Sequence, residues 1–273
     1  MNKRLYFQFL AYYFARRMKQ MFILILHIPK FGQRLITLAL AVLGLSLLKN
    51  DVISVFQQNI PVPLEQVKTE ERVIALTVNI DWGEEYIPKM LEIFESYDAK
   101  VTFFVTGRWA EKNPELLKMM ATKGHSIQNH GYYHSHPDKQ SIAQNKQELL
   151  KTEKVIEDII GTKTRFYAPP YGERGKNGLI AADELGYTTV LWTLDTIDWR
   201  EDSTPELIVQ RVLNPKIRYG VKPDKKGAIV LMHPKENTVI ALPKILSGLQ
   251  QEGFQMVTIE KLITFDLSGN TTP

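Results

Sequence analysis

From Val73 to Leu262 the chain alternates short β-branched apolar runs with stretches that carry apolar residues at helical spacing. This alternation constrains the fold more tightly than any other feature. A run that is apolar on both faces must be covered on both sides, as in a parallel sheet sheathed by helices. VIALTV at 73–78 suits a buried strand, and 87–97 follows it with Ile87, Met90, Leu91 and Phe94 on one helical face. Val101–Val105 reads as a second strand. Asn113-Pro114-Glu115 starts a helix that Gly124 ends, with a capping residue followed by proline at the first helical position. Ser141–Ile160 is a long amphipathic helix closed by Gly161.

Phe166–Ala168 is a short strand broken by Pro169-Pro170, and Gly178–Leu185 is helical up to Gly186. Thr188–Thr193 reads as one strand, Thr204-Pro205-Glu206 as a helix start, and Ala228–Met232 as a strand. Leu242–Gln251 is helical and Phe254–Val257 is the last strand. Roughly seven strand–helix pairs predict an α/β fold, a deformed or incomplete (β/α) barrel rather than an open sheet. In such barrels the working residues follow the strand ends.

Residues 1–49 are of a different kind. They hold eight basic residues and no Asp or Glu, with an uncharged apolar run, LITLALAVLGLSLL, at 35–48. Fourteen residues match the apolar core of a secretion signal and fall short of a comfortable membrane span. The basic flank predicts an N-terminus held inside and a folded part outside the cytoplasmic membrane, anchored or secreted. Residues 50–71 are polar with Pro61 and Pro63 and read as a linker to a domain over 72–262, with a tail at 263–273. The leader also accounts for the basic balance. Beyond it, 26 Lys and Arg face 30 Asp and Glu, so nucleic acid is not an expected partner. No cysteine is present, which excludes disulfides and thiolate metal ligands.

Four of the six histidines fall in GHSIQNHGYYHSHP: His125, His130, His134 and His136. His130 and His134 are four apart and would share a face on one helical turn. With Asp81 from NIDWGEE they would make a three-ligand metal site with an open position.

Five stretches, NIDWGEE, HSIQNHGYYH, APPYGE, DTIDW and MHPKEN, each follow a strand candidate. In this order they resemble the motifs of the polysaccharide deacetylases with a NodB homology domain, carbohydrate esterase family 4, over residues 71–262. The form IALTVNIDWGEEYIPKML is closest to a branch associated with sporulation, the YlxY-like proteins of Gram-positive spore-formers. The resemblance implies a deformed barrel that removes acetyl groups from N-acetylated polysaccharide such as peptidoglycan or chitin, as a monomer, with a divalent metal, Zn2+ first and Co2+ as an alternative. It places Asp81, His130 and His134 at the metal. It places His233 at the general acid with Asp198 as its partner, and Tyr171 at a backbone oxyanion contact. Trp199, Tyr171 and Trp82 would face the sugar.

Two positions depart from the pattern. Asn79 stands where the family has its base aspartate, and Ala168 where it has the arginine that pairs with that base. An amide cannot take a proton at neutral pH, and a positioned base contributes about 10²–10⁴ in rate. Once the aspartate is gone, a buried arginine without a partner would be costly, so the two changes are consistent with each other. Glu84 and Glu85 lie too far along the chain for good base geometry. The expectation is weak or altered amide hydrolysis, or, as the alternative, a non-catalytic glycan-binding or spore-envelope protein on the same barrel.

Overall fold

The computed structural model describes residues 60–217 and 220–268. In chain order the elements are β1 (Val73–Ile80), α1 (Ile87–Ser96), β2 (Thr102–Val105), α2 (Gly107–Lys112), α3 (Pro114–Thr122) and β3 (Ser126–Asn129). Then come α4 (Ile142–Ile160), β4 (Phe166–Tyr167), α5 (Lys176–Glu184), β5 (Thr188–Thr189) and β6 (Leu194–Asp195). The chain finishes with α6 (Pro205–Leu213), β7 (Ile229–Met232), α7 (Glu236–Gln251), β8 (Gln255–Val257) and α8 (Ile259–Ile263). All strand pairings are parallel, in the order β5-β4-β3-β2-β1-β7-β6, with β8 added on β1. The sheet curls into the incomplete barrel that the alternation predicts.

β1 is the axis of this arrangement. It is buried along all eight residues and pairs with three strands, β2, β7 and β8. Side chains alternate between faces along a strand. Ile74, Leu76, Val78 and Ile80 pack outward into the main core with Met90, Leu91 and Phe94 of α1 and Leu242, Ile245 and Leu249 of α7. Val73 and Ala75 face the interior with Phe104, Phe166, Ile229, Ile259 and Leu262. The same register carries Thr77 and then Asn79 inward, toward the mouth formed by the C-terminal strand ends.

The helix signals act as the sequence implies. Ser141 forms a reciprocal capping box with Gln144, and Gly161 closes α4 at φ 70°. Gly83, at φ 84°, brings the loop after β1 against the loop after β7. A Cβ there would lie 2.3 Å from the Pro234 carbonyl oxygen. α7 begins six residues earlier than expected and carries Pro243 inside it. Burial of Thr238, Ala241 and Leu242 on its inner face offsets the hydrogen bond that the proline removes.

Two expectations are corrected. The run 188–193 is not one strand. β5 pairs with β4 and β6 with β7, on opposite flanks of the seam. Residues expected to be linker cross that seam: the Leu64 N–H donates to the Thr189 carbonyl, and the Val67 N–H donates to the Gly227 carbonyl. Leu64 and Val67 are buried, so the body includes them. β3 carries no apolar alternation because its Gln128 is satisfied by hydrogen bonds, accepting from the Arg165 and Phe166 N–H groups and donating to Glu260. Among the described residues no helix is long and apolar enough to cross a membrane. The leader at 1–49, with its apolar run at 35–48, lies outside them.

His125 is a core residue, packed edge-on against Phe94 and Phe103. Its Nδ1 accepts from the Val101 N–H at 3.3 Å, which requires a ring lacking the second proton. Burial, with Lys100 and Lys123 adding to it, pushes its pKa down from 6.5 to about 4. Because the folded value is lower than the unfolded one, its contribution is complete above pH 6.5 and is lost as pH falls toward 4. We expect His125→Gln to flatten the fall in urea-unfolding free energy between pH 6.5 and 4.5 by about 1.4 kcal/mol per pH unit. An unchanged slope would contradict this assignment.

Candidate active site

Each element of the site hangs from the C-terminal end of a strand. β1 supplies Asn79 and leads to Asp81, β2 leads to Thr106 and Arg108, and β3 leads to His130. β4 leads to Ala168 and Tyr171, β6 to Asp198 and Trp199, and β7 to His233.

The two imidazoles meet, but not on a helix. Gly131 (φ 75°) and His134 (φ 57°) turn the chain back after β3, which brings the two rings edge to face with centroids 5.0 Å apart. The side chain of Asn129 fixes the turn, accepting from the Gly131 N–H and donating to the Leu149 carbonyl. Glu148 accepts from the N–H groups of Tyr132 and Tyr133. His130 is buried, and its Nδ1 donates to the Ala168 carbonyl at 2.6 Å, leaving Nε2 with a free lone pair. Burial, reinforced by His134, pushes the His130 pKa down to about 3, and burial also lowers that of His134. Both rings are therefore neutral at physiological pH, the form that ligates metals.

The carboxylate does not complete the set. Asp81 is held by Arg108, whose Nε donates to Oδ1 at 2.7 Å while a terminal nitrogen contacts Oδ2. The Thr106 hydroxyl donates to Oδ1 at 2.8 Å. Burial pushes the Asp81 carboxyl up, but the hydrogen bonds from Arg108 and Thr106 more than offset this and hold it below the usual range. Among the described residues no group of three His, Asp or Glu is arranged to hold a metal ion. The donor set as built offers two imidazoles and a carboxylate already neutralised, and this does not fit a three-ligand centre. Arg108 belongs to no motif; its only signature in the sequence is a basic residue three positions beyond a strand.

The corner around Asp198 and His233 is closely hydrogen-bonded. Asp198 is 1% exposed, and its Oδ2 accepts from the His233 N–H and the Thr238 hydroxyl, both at 2.7 Å. Its Oδ1 lies 2.8 Å from His233 Nδ1. This arrangement fixes the proton on Nδ1 and orients the ring, leaving Nε2 for substrate. Trp82 lies parallel to His233 with centroids 6.2 Å apart, and Lys235 sits 5.8 Å from the Trp82 ring centre. Trp82, Asp198, Arg200, Lys235 and Glu236 line a cleft of about 360 Å³.

Tyr171 is held at φ 61°, an uncommon conformation for a non-glycine residue. Its exposed ring stacks on His136 at 3.9 Å and meets His134 edge-on at 4.7 Å. His136 is itself held by Glu173, at 2.5 Å. Trp199 is exposed. Asn79 is 5% exposed and its Oδ1 has no hydrogen-bond partner. Ala168 is buried in the interior apolar cluster with Phe104 and Phe166. Glu84 and Glu85 are exposed on a 3-10 turn, and Glu85 lines the cleft with Trp82 and Asp198.

A curled parallel barrel with an aspartate-held histidine at its mouth is the framework of a hydrolase. The polysaccharide deacetylase profile matches residues 66–190. Over 203 residues the chain is 35% identical to the uncharacterised protein YlxY of Bacillus subtilis (strain 168), a match that spans 74% of this chain and 61% of YlxY. Over 206 residues it is 32% identical to a peptidoglycan-N-acetylglucosamine deacetylase of Bacillus cereus, covering 73% of this chain and 92% of that one. Among solved structures it is similar to a CE4 family pseudoenzyme from Bacillus anthracis, with TM-score 0.68 and 34% identity over 74% of this chain and 69% of that one. The chain belongs to the polysaccharide deacetylases, carbohydrate esterase family 4.

Removing Asp198 would leave the Thr238 hydroxyl and the His233 N–H without their acceptor. Asp198→Ala should cost about 1–3 kcal/mol in urea unfolding. A loss under 0.5 kcal/mol, on the order of an ordinary surface substitution, would mean that the carboxylate does not organise this corner.

Proposed function

We propose that this protein recognises N-acetylated cell-wall glycan, of the peptidoglycan type, and hydrolyses its acetamide bond weakly or in an altered way. One observation carries the reading: an intact Asp198–His233 pair shares a barrel mouth with a base position that holds a buried amide whose oxygen has no hydrogen-bond partner. The exposed rings of Trp82, Tyr171 and Trp199 would offer faces for the sugar. His233, held by Asp198, would donate a proton to the departing amine. The Tyr171 backbone N–H would share the negative charge that develops on the carbonyl oxygen. Asn79 would orient a water without deprotonating it, and that missing step accounts for slow turnover.

The family is generally metal-dependent, and a divalent metal, Zn2+ before Co2+, is the cofactor that the motifs imply. As arranged, the donors supply two of its three ligands, and no step is assigned to it. The all-basic leader supports an extracytoplasmic location, with the segment 35–48 as an anchor or a cleaved signal. The likeness to YlxY supports a place in a Gram-positive spore-former, and we assign a monomer as the acting unit.

A second reading, a non-catalytic glycan-binding or spore-envelope protein, is favoured by the Asp81–Arg108 pair and by the likeness to a pseudoenzyme. Acetate release separates the two. With chitooligosaccharide or peptidoglycan and added zinc or cobalt, the full chain should release acetate slowly but faster than a His130→Ala/His134→Ala control. Equal rates would leave the non-catalytic reading.

A further inference from the structure

Arg108 reaches the mouth because the start of α2 is stitched to the histidine turn. The Gly107 N–H donates to the Gly131 carbonyl at 3.0 Å and the Arg108 N–H to the Tyr132 carbonyl at 3.2 Å. Only glycine fits at 107, since a Cβ there would lie 2.3 Å from the Tyr132 ring. From that fixed base the guanidinium makes a fork with both oxygens of Asp81. Arginine matches a carboxylate in this way better than any other side chain. The pair is asymmetric in exposure: the Asp81 side chain is 10% accessible and the Arg108 side chain 43%. The arginine thus covers the carboxylate from the solvent side.

The consequence is electrostatic and steric. Asp81 is the only carboxylate beside the imidazoles of His130 and His134, and so the one anionic donor that the motif offers a cation. Arg108 cancels that charge and occupies a lone pair on each oxygen. An incoming divalent ion would have to break a charge-assisted fork and then share the site with a displaced positive group.

We propose that Arg108 is a built-in competitor for the metal position, a resident cation that occupies Asp81 and weakens divalent-metal binding at Asp81/His130/His134. It rests on the preceding reading only for the identity of the ion. Its readout is affinity, so acetate release can fail without deciding it.

The test is zinc affinity of the full chain by competition with a chromophoric chelator, counting the binding that His130→Ala/His134→Ala abolishes. Arg108→Met should tighten zinc binding about tenfold, and Arg108→Lys, which keeps the charge but loses the fork, by less. Tightening of threefold or more in Arg108→Met supports the competitor role. Less than threefold, weaker binding, or no zinc binding in either protein overturns it. Should Arg108→Met fail to fold, the same threefold criterion applied to Arg108→Lys decides the matter.

Discussion

The central strand β1 is the constraint on which the rest of the structure depends. Among the described residues it is the one strand paired along three partners, and its alternation divides the molecule. The even residues from Ile74 to Ile80 anchor α1 and α7, while the odd residues line the interior. That period of two delivers Asn79 to the mouth, with Asp81 just beyond the strand end. A one-residue slip would bury both polar groups against the helices. The site's geometry is therefore a by-product of the register that builds the core.

Around that strand the mouth has two unequal halves. On the β6–β7 side Asp198, His233 and Thr238 form a closed set of hydrogen bonds, with each group satisfied by the others. On the β1–β4 side the groups are mismatched. Asn79 has an orphan oxygen, Ala168 contributes an apolar side chain, and Asp81 is bound to an arginine from the adjacent loop. A histidine held by a carboxylate stands on one side, and an amide in place of the family's aspartate on the other. The likeness to both a deacetylase and a pseudoenzyme agrees with a mouth of this mixed kind.

Much of this was legible in the sequence, for physical reasons. Long elements with punctuation could be read directly: Ser141 and Gly161 bracket α4, and proline opens α3 and α6. The ordered motifs located the histidines and the Asp198–His233 pair. What escaped was decided by tertiary partners. β3 is a polar strand made stable by Gln128, which no apolar pattern can reveal. His130 and His134 meet through two positive-φ residues, a turn that a spacing of four mimics. The strap at Leu64–Val67 looks like a linker until its seam is present to receive it. Arg108 finds Asp81 across 27 residues of chain, a pairing that only the fold can make.

The central claim is that the amide at Asn79, where the family has a base paired with an arginine, limits turnover. The most direct measurement is acetate release from N-acetylated chitooligosaccharide by the double variant Asn79→Asp/Ala168→Arg, compared with the wild type under identical metal supply. Restoring the carboxylate together with its counter-charge should raise the rate by about tenfold or more. A folded double variant with no gain would contradict the account, placing the defect in the groove or in the metal position instead of at Asn79.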